Sequence, residues 1–160
     1  MKSLSIILLL LFMLVGCGST ARGTGTITQV SPKLTWGEAL ALSDTPQKVA
    51  EWMMYNISYA KDVTPEDVNK PALKTVEDGT GDCEDYAILA KYMLDRHGYN
   101  TEVLFTFPEE GGTGHAVCVI NHGENFSYIS NANYINRRYL AYADIAGLFF
   151  YPGRWYIYKP

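Results

Sequence analysis

The sequence predicts an α+β domain, and three observations carry that prediction. Apolar residues recur at helical spacing in two segments before Gly98, strand-like alternation dominates the chain after it, and a four-residue hairpin turn joins two of the strand-like runs. Helices first and adjacent strands afterwards imply an antiparallel sheet with N-terminal helices packed on it.

The chain opens with Lys2 and an almost unbroken apolar run from Leu4 to Val15. A membrane-spanning helix needs about 20 apolar residues, so residues 1–16 read as a secretory signal. Leu14-Val15-Gly16-Cys17 resembles a bacterial lipobox, which implies cleavage before Cys17 and a lipid on its thiol; ordinary cleavage near Ala21 and an uncleaved anchor are the alternatives. Residues 17–30 are small, polar and glycine-bearing, without either hydrophobic period, and suit a flexible tether. Residues 31–160 are then one domain, with enough chain for a proper core. A net charge of −4 with no basic stripe argues against nucleic acid as a partner. The lipid would place the protein in a bacterial cell envelope, facing the periplasm, with membrane as partner and substrates at that surface.

Asp44-Thr45-Pro46 starts a helix, because it offers a capping side chain and a proline whose missing N–H costs nothing in the first turn. Val49, Trp52, Met53, Ile57 and Ala60 give that helix one buried face, which makes Trp52 and the methionine pair core. Asp62 to Asp78 carries two prolines and many short polar residues and reads as a long surface loop. The next helix starts near Asp82 and stops at Gly98. Its residues Cys83, Ala87, Ala90, Leu94 and His97 share one stripe, so the thiol faces the interior. Strands follow at Thr101 to Phe107, His115 to Ile120 and Asn125 to Ser130, with Asn121 to Glu124 as a hairpin turn, and Arg154 to Lys159 alternates as a last strand.

Chemistry concentrates in GTGDCEDYA, residues 79–87, where a cysteine sits among three carboxylates at the head of a helix. The unpaired N–H groups and the positive end of the helix dipole favour a thiolate there and offer donors to a developing oxyanion. Asp82, Glu84 and Asp85 oppose the thiolate, so a local imidazolium is needed to make Cys83 strongly acidic. Of the three histidines, His97 lies about 20 Å down the same helix, and His122 falls in a hairpin turn where a solvated role is the plain reading. His115 stands at the start of a strand after Gly111-Gly112-Thr113-Gly114, where it can meet Cys83. A third group must accept the other N–H of its ring; YISNANY offers Ser130, Asn131 and Asn133, of which the amide oxygen of Asn131 is favoured. A Cys83–Cys118 disulfide competes with this reading. Strand alternation disfavours it, because a His115 face turned toward Cys83 turns Cys118 away. A transition-metal site at Cys83, His115 and the acids is weak, since no second cysteine or histidine sits at a short ligand spacing.

These residues resemble the transglutaminase-like superfamily. GDCEDYA with KYMLDRHG matches its cysteine helix, GHAVCVI its histidine strand and NISYAKD its upstream element, over roughly Thr45 to Asn133. The resemblance implies a transglutaminase-like, papain-like core with the nucleophilic cysteine at a helix N-terminus. It implies a thiol enzyme acting on amide bonds of proteins or peptides through Cys83, His115 and Asn131, nearest to the bacterial transglutaminase-like cysteine proteases. A cross-linking transglutaminase and a binding module that retains the fold are the alternatives. The third position is usually Asp in the family, and Ser130 or Asn131 stands there instead. Relatives of this kind bind calcium through the acids flanking the cysteine, here Asp82 and Glu84. Those acids also serve a plain structural role, Asp82 as helix cap and Glu84 and Asp85 as complements of the dipole.

Overall fold

The computed structural model describes residues 35–61 and 69–158. The proposed signal, Cys17 and the tether lie outside the described residues, as do residues 62–68 of the expected loop. Helix α1 (Trp36–Leu42) is capped by Thr35, whose hydroxyl takes the Glu38 N–H while Glu38 reaches back to the Thr35 N–H. Helix α2 (Pro46–Asn56) starts as expected, with Thr45 as cap and proline at its first position. It ends earlier than its apolar stripe suggested, because Ile57 is already extended; Ile57 is buried as the cap residue, while Ala60 lies beyond the helix and is exposed. Met53 is core, but Met54 points to solvent.

The expected loop from Asp62 to Asp78 is corrected at its end, where Ala72–Asp78 forms helix α3. Pro71 pre-sets its first turn, Ala72 and Thr75 bury one side, and Gly79 closes it in the left-handed region at φ 65°. Between α2 and α3 lies strand β1 (Ser58–Tyr59); strand β2 (Thr80–Gly81) follows α3 and pairs with β1 in parallel. Helix α4 (Cys83–Asp95) begins one residue after β2. Asp82 caps it, and Asp82 and Asp85 each accept the other's backbone N–H. Ala87, Ala90 and Leu94 of the expected stripe are buried, and Gly98 makes the turn beyond the helix at φ 80°.

The remaining strands form one antiparallel sheet: β3 (Asn100–Pro108), β4 (His115–Asn121), β5 (Phe126–Ser130), β6 (Asn133–Tyr139) and β7 (Gly153–Tyr158). Their order across it is β6-β5-β4-β3-β7. After β6 at one edge, the chain crosses the sheet through helix α5 (Tyr142–Ala146) and returns as β7 at the other edge. The alternation of β4 divides the core. Ala116, Cys118 and Ile120 pack with Val103, Phe105 and Ile129 against α2 and α4, while Val117 and Val119 pack with Leu104, Tyr128 and Ile145 on the α5 side. The face argument therefore resolves the other way round from the expectation: it is the Cys118 face that meets α4. Cys118 is nonetheless a fully buried free thiol, and Cys83 is free as well.

Candidate active site

Three local devices position the site. The β1–β2 pair, tied by Ser58 N–H to Gly79 O and Ala60 N–H to Gly81 O, sets Tyr59 beside Gly81 and so beside the head of α4. Gly81 has to be glycine, since a Cβ there would lie 2.6 Å from Asp85 Cβ. Gly114 has the same constraint before His115, because its Cβ would stand 2.5 Å from the Phe107 ring and 2.6 Å from Thr106 O. The backbone entering β4 can therefore lie against Phe107.

Cys83 is half-buried at the first position of α4 and donates its thiol proton to Glu84 Oε2 at 2.8 Å, while the Ala116 N–H donates to the sulfur. Burial, then the Glu84 bond, pushes the thiol up to about 12, and the Ala116 N–H acts in the opposite direction. His115 lines the same cavity, and burial lowers its pKa. At neutral pH the pair therefore rests as thiol and neutral imidazole, not as the thiolate and imidazolium that the helix dipole alone suggested.

His115 Nε2 lies 2.8 Å from Ser130 Oγ, and the Phe149 ring packs on the imidazole with centroids 4.7 Å apart. The favoured third residue, Asn131, does not make that bond. Cys118 stands opposite Ile129, so Val117 and His115 share a sheet face with Ser130 rather than with its neighbour. Asn131 occupies the turn that leads to β6, at φ 49°, and its buried Oδ1 has no hydrogen-bond partner among the described residues. Asn133, the remaining alternative, is exposed and pairs with Ser130 across that turn. His97 bonds Leu40 O at 2.8 Å and His122 bonds Ser127 at 2.8 Å, both remote from the cavity.

The cavity holds about 500 Å³. Cys83, Asp82 and Glu84 line it, and Phe105, Phe107 and Tyr156 form a wall of near-parallel rings, with Phe105 and Tyr156 stacked at 5.2 Å and only 2° from parallel. Tyr59 also lines it; burial raises its phenol pKa, and the charges of Asp82 and Glu84 add to the shift. Phe149 and the ring wall are site residues that the sequence reading missed. Their signal was the alternation of Phe105 and Phe107 before the glycine-rich turn. Asp82 and Glu84 are both buried at the cavity, but Asp85 is committed to Lys70, accepting from its N–H and its ammonium at 2.9 Å each. Among the described residues no group of three or more His, Cys, Asp or Glu side chains comes together to hold a metal ion. Asp82 and Glu84 are the two acids at the cavity that could contribute to a calcium ion, whose six to eight oxygens also come from backbone carbonyls.

An α+β fold that brings a cysteine at a helix N-terminus and a strand-borne histidine to one cavity defines a class of thiol-bearing domains. The chain belongs to the transglutaminase-like superfamily, whose sequence model matches residues 28–159. Among solved structures it is similar to Legionella pneumophila LapG in its calcium-bound form, with a TM-score of 0.53 and 18% identity over 62% of this chain and 64% of that one. Structures of LapG without a stated ligand and after EGTA treatment give TM-scores of 0.52 at the same identity, covering 62% of this chain and 64% and 62% of theirs. The present chain thus spans under two thirds of LapG, and at this identity the likeness shows the fold. No curated protein matches the chain.

Proposed function

We propose that this protein is a cysteine peptidase held at the cell envelope by a lipid on Cys17, with Cys83 as nucleophile, His115 as base and Ser130 as the group that orients His115. The observation that carries the reading is the convergence on one cavity of the Cys83 thiol at a helix N-terminus and an imidazole whose Nε2 is already engaged by Ser130. The anchor rests on the lipobox-like Leu14-Val15-Gly16-Cys17.

With Nε2 at Ser130, Nδ1 is the ring nitrogen left for the thiol. Cys83 Sγ bonds to the scissile carbonyl carbon as its proton passes to Nδ1, and the backbone N–H groups at the head of α4 receive the oxyanion. His115 then returns the proton to the departing amine as the C–N bond breaks, leaving a thioester. Water attacks the thioester with His115 again as base, releasing the acid and restoring the thiol. A lysine amine in place of water would give a cross-link. Ser130 supplies no negative charge, so the imidazolium formed during attack is less stabilised than beside the Asp usual in this superfamily.

The test is acylation of Cys83 by p-nitrophenyl acetate, followed by intact mass and nitrophenol release, with and without a primary amine. It is run in calcium and in EGTA, because LapG has been solved in both conditions. Burst acylation that turns over in water and falls at least about tenfold in His115→Ala supports the reading. Equal acylation of wild type and His115→Ala overturns it and leaves a binding module on this fold.

A further inference from the structure

A second cavity, of about 380 Å³, opens between α4, the start of α3 and the β3–β7 edge of the sheet. Ile88, Tyr92, Val103 and Tyr158 give it apolar walls. The charges at its rim are engaged elsewhere: Lys91 Nζ bonds Asp95 and Thr101 O at 2.8 and 2.7 Å, and Lys70 Nζ bonds Asp85 at 2.9 Å. What it offers an occupant is therefore apolar contact rather than a salt bridge.

This cavity neighbours the site. Asn69 lines both. The paired residues Phe105 and Tyr156 wall the first cavity, and the next pair on the same face, Val103 and Tyr158, walls the second. Same-face neighbours along a strand stand about 6.8 Å apart, which is the advance of two residues in an extended peptide. We infer that the second cavity is a subsite for one large apolar side chain of an extended peptide substrate, held about two residues from the residue that occupies the Cys83 cavity. This rests on the peptidase reading and adds to it a specificity: a bulky apolar residue at a fixed offset from the scissile bond.

The experiment uses glycine-based tetrapeptide probes that alkylate Cys83, with a single phenylalanine moved through each position. One set carries the electrophile at the C-terminal end as a chloromethyl ketone, the other at the N-terminal end as a chloroacetyl group, so both chain directions are covered. Labelling is followed by intact mass. In one of the two sets, phenylalanine two or three residues from the electrophile is expected to label at least about tenfold faster than the all-glycine probe. Ile88→Trp, which fills the cavity, and Ile88→Glu, which charges it, are each expected to bring that ratio close to one. The ratio is taken within each protein, so a variant that slows both probes through loss of fold is recognised as such by circular dichroism and replaced by the other. A flat scan in both sets, or a preference that survives both variants, overturns the subsite. Failure of every probe to label Cys83 faster than iodoacetamide does overturns the peptidase reading with it.

Discussion

Replacing Ser130 probes the least usual feature of the site. Its hydroxyl stands 2.8 Å from His115 Nε2, where a neutral hydrogen bond is worth about 0.5–1.5 kcal/mol. Ser130→Ala should therefore slow acylation of Cys83 by about 2- to 10-fold, each 1.4 kcal/mol being a factor of ten. Ser130→Asp works in the opposite direction. Burial lowers the pKa of His115 in the native protein. A carboxylate at Nε2 would favour the imidazolium by about 1.5–3 kcal/mol, the worth of a hydrogen bond to a charged group. The base-limited acid limb of the rate profile should then move to higher pH, since a base with a raised pKa stays protonated, and therefore idle, further up the scale. Above that limb, acylation should rise about 10- to 100-fold, because the imidazolium formed during attack gains a counter-charge. The assay is the nitrophenyl acetate burst from pH 4.5 to 9, with Asn131→Ala as control and expected to stay within about twofold of wild type. A Ser130→Ala variant equal to wild type, beside an Asn131→Ala variant that is slowed, would refute the assignment of the third position.

Three further outcomes follow from the same geometry. Because the Cys83 thiol is pushed up to about 12, iodoacetamide at pH 8 should alkylate it at least about 100-fold more slowly than a free thiol of pKa about 8.5. Glu84→Gln, which removes the second cause of the shift, should speed that alkylation; stopped-time mass spectrometry decides. Gly114→Ala should lower stability by about 1–3 kcal/mol in urea unfolding and slow acylation as well, because its methyl meets Phe107 and Thr106 beside His115. Lys70→Met should cost about 3–5 kcal/mol by leaving fully buried Asp85 without its cation, and a change in midpoint worth under 1 kcal/mol would show that the pair carries little.

Helix α4 and the central strands were legible because their signals are local. Asp82 caps, Ala87, Ala90 and Leu94 repeat at helical spacing, and β4 and β5 alternate around a short turn. Helix α1 carries a local signal too, the capping box of Thr35 and Glu38. Helix α3 was hidden by Pro71, which breaks a strand or loop pattern yet serves well at a helix start. Strand β6 has mostly exposed or half-buried residues, with Arg137 and Arg138 adjacent, so no alternation announces it. The hydrogen-bond partner of His115 was lost to parity. Choosing between Ser130 and Asn131 needed the pairing of β4 with β5, a one-residue matter that composition does not encode. Phe149 and Tyr156 reach the site only because the chain crosses the sheet between β6 and β7, a long-range event with no local signature.

That crossing also sets an order of completion. Cys83, His115 and Ser130 belong to α4, β4 and β5, whereas the ring of Tyr156 arrives on β7, which must find β3 about fifty residues back along the chain. A polypeptide still leaving the ribosome carries Cys83 well before it carries the Tyr156 wall of its cavity. The cavity around Cys83 is thereby closed last, by topology, once β7 has joined the sheet.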